Sequence, residues 1–260
     1  MGESASSYSK LRTYLYANRY YTKRPAVKDP RLALLPPELF CGASVLDVGC
    51  NEGWVTCEIA QSWGARRVLG VDIDETLTRL AWKRKRTVWS TQGPTAAIDE
   101  KPLPGYFPTS FEHTFGPLPI PSAQPVDKHL FPHNASFRTA DWTNNAIPQD
   151  AAGYDVVIAF SLTKWIHLNG GDDALLRFFR RVYDVLTPGG SLVLEPQAWE
   201  TYAKAKRMDS RLRENAKCLK LRPDDFGSLL QEMGFGAAQH VGTTGEGGFC
   251  RPVDIYKKPA

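Results

Sequence analysis

The stretch that decides the fold is VLDVGCNEG, residues 45–53. It predicts a short buried strand that ends near an acid and then a glycine-rich turn that opens a helix. The glycine spacing differs from the G-x-G-x-x-G of dinucleotide binders, in which the backbone closely approaches a pyrophosphate. Gly49 still allows a ligand to approach the backbone without a Cβ clash. The stretch therefore predicts a ligand site without a phosphate.

A second acid, Asp72, closes the next apolar run 25 residues after Asp47. Ligands of open α/β sheets bind at the carboxyl ends of the strands, where both acids are expected. Asp72 can accept hydrogen bonds from two ribose hydroxyls, and Asp47 can place negative charge near a cationic group. S-adenosylmethionine has a ribose, an ammonium and a sulfonium. We therefore predict an S-adenosylmethionine site; the alternative is that both acids only cap helices.

Apolar strands alternate with amphipathic helices along most of the chain, which is typical of a parallel sheet with crossover helices. Residues 90–135 hold nine of the nineteen prolines and predict a long, mobile insertion that carries no chemistry. We predict a Rossmann-like class I methyltransferase domain over residues 31–260, doubly wound, with helices on both faces of a mostly parallel sheet. Its seven strands are expected at residues 44–48, 67–71, 136–139, 154–160, 191–195, 237–241 and 252–257, and its helices at 54–62, 75–86, 172–186, 199–216 and 223–233.

The composition suggests an intracellular protein. Five cysteines without a CxxC pair favour reduced thiols over disulfides or zinc. Residues 1–10 lack the apolar core of a signal peptide, and no apolar run reaches the roughly 20 residues of a membrane span. His129 and His133 flank Pro132, which breaks the helix that their spacing would need as metal ligands. We expect no metal and no membrane.

The net charge of +4 is unevenly distributed. Residues 1–24 carry a local +4 and residues 200–222 a local +5, so the remaining chain is acidic. Two basic segments on an acidic body indicate either contact with a polyanion or two solvated helix faces. Residues 8–24 also hold five tyrosines among five basic residues, which suits a single-stranded RNA end. We expect both basic segments to become ordered only when RNA binds.

Several segments closely resemble the methylphosphate capping enzymes of 7SK small nuclear RNA, the bicoid-interacting methyltransferase family. They are VLDVGCNEGW, VLGVDID, YDVVIAFSLTKWIHLNGGDD, LTPGGSLVLEPQAW and GFCRPVDIYKK. The resemblance implies methyl transfer from S-adenosylmethionine to the γ-phosphate of a 5′-triphosphate RNA made by RNA polymerase III. It also implies a nuclear location and possible ribonucleoprotein partners; the run at residues 83–86 is either a nuclear signal or a solvated helix face.

The resemblance also implies which residues contact the cofactor: Tyr14, Arg24, Gly49, Cys50, Asn51, Asp72, Ile73, Asp141, Trp142 and Phe160. The pair Asp141-Trp142 stands where the family has Asn-Tyr, and Phe160 stands where it often has Leu. Trp142 follows the third strand, where such folds commonly contact adenine, although a tryptophan there can equally fill the core.

The acceptor site is expected after the fourth and fifth strands. Lys164 can hold the terminal phosphate, and His167 or Gln197 can direct an oxygen by hydrogen bonding. Trp165 and Trp199 can exclude water or stack on the first base. Each of these residues also has an ordinary structural alternative. Further RNA contacts are predicted at Arg19, Tyr20, Tyr21, Lys204 and Lys206.

Three other functions stay open at this point. The first is methylation of a 5′-monophosphate, because similar acceptor segments occur in that branch of the family. The second is an RNA-binding chaperone or ribonucleoprotein subunit with weak activity. The third, a small-molecule or protein methyltransferase, leaves both basic segments unexplained.

Overall fold

A computed structural model describes residues 28–92 and 107–260 of the chain. Its centre is one seven-stranded sheet with the order β3-β2-β1-β4-β5-β7-β6. The first five strands in that order are parallel, whereas β7 runs antiparallel to β5 and to β6. The strands are β1 (Ser44–Val48), β2 (Arg67–Asp72), β3 (Ala135–Thr139), β4 (Tyr154–Phe160), β5 (Leu186–Glu195), β6 (Gln239–Thr244) and β7 (Arg251–Lys257). The predicted seven-stranded, mostly parallel sheet is confirmed.

Seven α-helices accompany the sheet within the described residues. They are α1 (Trp54–Ser62), α2 (Glu75–Thr91), α3 (Thr109–Phe115), α4 (Thr163–Val185), α5 (Glu200–Ala205), α6 (Ser210–Lys217) and α7 (Phe226–Glu232). None of the helices in the described ranges is long and apolar enough to cross a membrane.

Helices cover both faces of the sheet, which explains why β1 is buried along its whole length. Leu46 and its neighbours on one face pack against α4 and α7, through side chains such as Phe179 and Phe226. Val45 and its neighbours on the other face pack against α1 and residues 32–43. The two cores follow from the alternation of side chains along each strand.

The helices differ from the prediction in several places, and α2 runs to Thr91 rather than ending at residue 86. The helix expected at 172–186 begins earlier, at Thr163, and is kinked at Gly171, whose φ is 73°. The single helix expected at 199–216 is two helices, because the Asp209 side chain accepts a hydrogen bond from Arg211 N and caps a new helix. The proline-rich insertion contains the short helix α3, so part of it is ordered.

The winding of the sheet reverses between β1 and β4, which are hydrogen-bonded neighbours. From β1 the chain moves outward to β2 and β3, and then returns to β4 on the other side. Crevices at such a reversal are the usual ligand sites of these folds. The carboxyl ends of β1, β2, β4 and β5 thus meet at one edge, where the predicted site residues lie.

Candidate functional site

The glycine turn after β1 adopts a backbone conformation that favours glycine. Gly49 has a φ of 77°, and its N–H donates to Val71 O over 2.8 Å. A Cβ at Gly49 would lie 2.9 Å from Cδ1 of Leu162, which follows β4. Asn51 also has a positive φ, 53°, which asparagine tolerates better than most residues. The turn therefore brings bare backbone to the reversal point of the sheet.

Asp72 closes β2 beside this turn. Its Oδ2 accepts a hydrogen bond from Asn51 N over 2.9 Å, and its Oδ1 accepts one from Asp74 N over 3.0 Å. Burial raises the pKa of Asp72 to about 6. The next side chain, Ile73, is 62% exposed although it is large and apolar. An oriented carboxylate beside an exposed apolar side chain fits a nucleoside, in which a ribose adjoins an aromatic base.

Asp47 lies deeper than Asp72. Its Oδ2 accepts a hydrogen bond from Thr56 Oγ1 of α1 over 2.6 Å, and its side chain is buried. Burial raises its pKa to about 6, although the Thr56 bond and the charge of Arg31 oppose the rise. Asp47 therefore holds the start of α1 in place. Its buried carboxylate also places negative charge near the glycine turn.

Arg31 ties the chain before β1 to the carboxyl edge of the sheet. Its Nη1 donates to Glu195 Oε2 over 2.8 Å, and its Nη2 donates to Asp29 Oδ2 over 2.6 Å. The guanidinium carbon lies 4.3 Å from the centre of the Phe160 ring. Arg31 and Glu195 are both buried. Residues 29–31 thus lie next to the predicted cofactor wall at Phe160.

Cationic side chains gather on the other side of β4. Ser161, with a φ of 57°, accepts a hydrogen bond from Arg251 Nη1 over 2.7 Å and donates to Glu195 Oε2 over 2.6 Å. Lys164 Nζ donates to Thr201 Oγ1 over 3.3 Å. The pKa of Lys164 is lowered to about 8, first by burial and then by the charges of Arg251 and Lys204. We call Ser161, Lys164, Thr201, Lys204 and Arg251 the acceptor cluster; such a concentration of positive charge favours an anion.

Comparison with known proteins identifies the family. The family model described as bicoid-interacting protein 3 matches residues 154–258. The mouse 7SK snRNA methylphosphate capping enzyme is 37% identical over 266 residues, which cover 94% of this chain and 40% of that protein. The Drosophila melanogaster U6 snRNA methylphosphate capping enzyme Amus is 32% identical over 256 residues, covering 94% of this chain and 75% of the relative. The chain belongs to the bicoid-interacting protein 3 family.

A further sequence relative and a solved structure are also similar to this chain. The RNA 5′-monophosphate methyltransferase of Rattus norvegicus is 41% identical over 54 residues, only 21% of this chain and 18% of that protein. Magnesium protoporphyrin IX methyltransferase from Synechocystis, solved with bound S-adenosylmethionine, has a TM-score of 0.53 at 15% identity, covering 87% of this chain and 75% of that one. The latter shows that this chain has the fold of that S-adenosylmethionine-dependent methyltransferase. The chain spans about two fifths of the length of its mouse relative.

Several predicted cofactor residues do meet at one edge in this family member. Gly49, Asn51 and Asp72 are joined through the hydrogen bond from Asn51 to Asp72, and Ile73 follows directly. Cys50 contributes its backbone to the turn, since its side chain is buried against Cys57 and Phe137. Tyr14 and Arg24 lie outside the described residues.

Trp142 is a correction to the predicted site. Its side chain is 2% exposed, and its ring packs edge-on against Phe178. Its Nε1 donates to Asp150 Oδ1 over 3.2 Å, and Arg181 stacks on its ring. The indole thus fills the core, which was the alternative to an adenine contact. Asp141 begins the turn after β3, where its Oδ2 accepts a hydrogen bond from Asn144 Nδ2 over 2.8 Å.

His167 and Gln197 are both buried, and their polar atoms are bonded to other side chains and to backbone. His167 is fully buried, with Nε2 2.7 Å from Asp172 Oδ1 and Nδ1 3.3 Å from the Tyr202 hydroxyl. Gln197 Oε1 accepts a hydrogen bond from Lys164 N over 3.1 Å, and its Nε2 donates to Ser161 O. Both side chains hold the start of α4 in place, and with it Lys164.

The second basic segment forms two helices that pack on the domain, and its dependence on RNA stays a prediction. Tyr202 and Leu212 are buried in a small core with Leu168 of α4, against which Trp165 and Trp199 pack. Lys204 and Lys206 point outward from this core and are exposed. Arg19, Tyr20 and Tyr21 lie outside the described residues, so the prediction for the first basic segment stays a prediction.

The sequence reasoning missed Arg31 and Arg251 as site residues. Arg31 was assigned to the body of the domain and Arg251 only to a segment that carries the resemblance. Their site partners are distant in sequence: Glu195 lies 164 residues from Arg31, and Ser161 lies 90 residues from Arg251. Across residues 28–92 and 107–260, no group of three or more His, Cys, Asp or Glu side chains is arranged to hold a metal.

Proposed function

We propose that this chain transfers a methyl group from S-adenosylmethionine to the terminal phosphate of a 5′-triphosphate RNA. The observation that carries the proposal is the acceptor cluster, in which Lys164 and Arg251 lie close enough for one charge to lower the pKa of the other. The cluster lies at the same edge as the glycine turn and Asp72. Two relatives named as methylphosphate capping enzymes match almost the whole chain.

The residues of the turn fit the cofactor. Asp72 would hold its ribose hydroxyls, Ile73 would cover the base, and the backbone of Gly49 would lie against the methionyl part. The buried negative charges of Asp47 and Asp72 favour a ligand with cationic groups. When bound, S-adenosylmethionine supplies a methyl group on a positively charged sulfur, which an anionic oxygen can attack.

The acceptor needs little help from a base. A phosphate oxygen is already ionised near neutral pH, so the protein only has to place it and exclude water. Placement alone can provide a large part of the rate. Lys164 and Arg251 would bind the non-reacting phosphate oxygens by charge-assisted hydrogen bonds. Gln197 and His167 would keep Lys164 in position, because both hold the start of α4 in place.

The triphosphate is favoured over a monophosphate by the number of cations in the acceptor cluster. Three side chains, Lys164, Lys204 and Arg251, suit a chain of several phosphates better than one. The extent of similarity points the same way, because the monophosphate relative matches a much shorter stretch than the capping enzymes do. We further propose a polymerase III transcript as substrate, a nuclear location and assembly into a ribonucleoprotein.

The test uses one RNA sequence with a 5′-triphosphate, a 5′-monophosphate or a 5′-hydroxyl. Each is incubated with the purified chain and labelled S-adenosylmethionine, and the 5′ ends are analysed by mass spectrometry. We expect one methyl group on the triphosphate RNA and none on the hydroxyl RNA. Methylation of the monophosphate RNA alone would refute the triphosphate proposal. The variant Lys164→Met removes one cation of the acceptor cluster and serves as the control that transfer depends on that cluster.

A purely RNA-binding role is the second candidate, favoured by the exposed lysines Lys204 and Lys206. Asp72→Ala separates it from catalysis, because the variant should lose cofactor binding while keeping the acceptor cluster. If cells that carry only Asp72→Ala retain the function of the protein, the binding role is the correct one.

A further inference from the structure

Exposed aromatic side chains are concentrated on the flank of the domain that α2 and α3 form. Five large hydrophobic side chains are exposed within the described residues, and three of them lie here: Trp82, Phe111 and Phe115. Phe115 is 75% exposed. Exposed aromatic side chains in a group mark interaction sites more often than single ones do.

The aromatic residues of α3 are held in a fixed arrangement. Phe107 and Phe111 stack edge to face with ring centres 6.0 Å apart, and Phe111 and Phe115 do so at 5.6 Å. Thr87 Oγ1 of α2 donates to Glu112 Oε1 of α3 over 3.0 Å. The helix α3 is thus attached to α2 and leaves Phe111 and Phe115 exposed.

Basic side chains of α2 lie in one stripe on this flank. Arg79, Lys83 and Arg86 are exposed and follow helical spacing, so they point to the same side. The two other cations of α2 are engaged elsewhere: Arg84 stacks on Trp54, and Lys85 Nζ donates to Ala135 O over 2.8 Å. With five cations against Glu75, the helix carries a formal charge of +4.

We propose that this flank binds the single-stranded part of the RNA whose 5′ end occupies the acceptor cluster. We call it the α2–α3 face and define it by Arg79, Trp82, Lys83, Arg86, Phe111 and Phe115. Cations that pair with phosphates and aromatic rings that stack on bases are the two elements of sequence-tolerant single-strand binding. A protein partner would have to bury three like charges with the aromatic rings, which is unfavourable without matching acids.

The position of α2 supports a continuous path for the RNA. The helix begins three residues after Asp72, at the cofactor edge, and runs about 25 Å along the flank. An RNA held by its 5′ phosphates at that edge can therefore reach the face only if it has several further nucleotides. The proposal rests on the proposed function for the location of the 5′ end.

The experiment measures RNA binding by fluorescence anisotropy, without methyl transfer. It uses triphosphate RNAs of about 4 and about 20 nucleotides, which bracket the usual site sizes for single strands. Lys83→Gln/Arg86→Gln removes two exposed charges from α2. The matched control, Arg177→Gln/Arg180→Gln, removes two exposed charges from α4 on another part of the surface. Phe115→Ala tests stacking at a side chain with little packing to lose.

We expect Lys83→Gln/Arg86→Gln to weaken binding of the long RNA about 10-fold and to reduce the salt slope by roughly 1.4. Phe115→Ala should weaken it about 5-fold or more. The short RNA should bind all variants equally, and the control should match the unmodified protein. Unchanged affinity for the long RNA, or an equal loss in the control, overturns the proposal; the first result would indicate a protein-docking face instead. The anisotropy experiment measures binding alone. A failure of the proposed function would instead appear in the methylation assay, so the two failures can be told apart.

Discussion

The backbone N–H of Asn51 donates to Oδ2 of Asp72 over 2.9 Å. This bond joins the glycine turn after β1 to the carboxylate that ends β2. The two halves of the predicted cofactor site are therefore one unit, and a change in the turn should also disturb the carboxylate.

Gly49→Ala should weaken cofactor binding, because an alanine strains the turn at a φ of 77° and its Cβ would displace Leu162 Cδ1, which lies 2.9 Å away. Gly42→Ala is the matched control: Gly42 has a φ of 68°, and its Cβ would meet nothing within 4 Å. Both variants should lose about 1–3 kcal/mol of unfolding free energy from backbone strain. Calorimetry with S-adenosylhomocysteine should find weaker binding to Gly49→Ala than to the control. If Gly49→Ala and Gly42→Ala bound S-adenosylhomocysteine with equal affinity, the turn at Gly49 would not be part of the cofactor site.

Asp47→Asn should stabilise the protein at neutral and alkaline pH. Burial raises the pKa of Asp47 to about 6, so the ionised group costs stability; the cost develops between about pH 4 and pH 6 and is complete above. An asparagine can still accept the Thr56 hydrogen bond without charge. Urea denaturation should show a gain of up to about 3 kcal/mol near pH 8 and almost none near pH 4. Asp184→Asn, exposed on α4, should show no such difference.

Methyl transfer to RNA should decline as the pH rises through about 8. The lowered pKa of Lys164 means that its ammonium is lost there, and with it one phosphate contact. Lys164→Arg should move the decline to higher pH because arginine stays protonated. The measurement is kcat/KM from about pH 6.5 to 9.5. An identical decline in the arginine variant would assign it to another group.

His167→Gln should behave as a structural change. Loss of its bonds to Asp172 and Tyr202 should cost about 1–3 kcal/mol of unfolding free energy. The turnover rate for methyl transfer should fall less than about 10-fold, whereas removal of a general acid or base costs about 10²–10⁴-fold. Tyr202→Phe, which removes one of the two bonds, should give a smaller loss of stability. A turnover rate reduced about 100-fold or more, without any loss of stability, would restore a direct role for His167.

The sequence predicted the fold well because the strands of a parallel sheet are continuous apolar runs. It also located Asp72, since an acid at a strand end must lie at the ligand edge. It did not locate the contacts of His167 and Gln197. Nothing in the neighbouring sequence shows that His167 is hydrogen-bonded to Asp172 and Tyr202. The same holds for the hydrogen bonds of Gln197 with Ser161 and Lys164. The core position of Trp142 was one of two alternatives, and local sequence could not choose between them.

The break at Asp209 could have been found from the sequence. Asp209-Ser210 within a basic run is an N-cap signal, and the predicted long helix passed over it. The folding of this segment depends on Tyr202 and Leu212, which pack against Leu168 of α4. These apolar contacts lie on helices whose exposed faces are strongly basic, so net charge alone did not predict where the segment packs.

The Arg31–Glu195 ion pair also limits how the protein can be trimmed for crystallisation. A version that starts just before β1 would keep Glu195 fully buried but lose its ion pair with Arg31. Leaving one charge of a buried pair behind costs about 3–5 kcal/mol, a large part of a domain's stability. Any cut that keeps this ion pair therefore has to lie upstream of Asp29, well before the first strand.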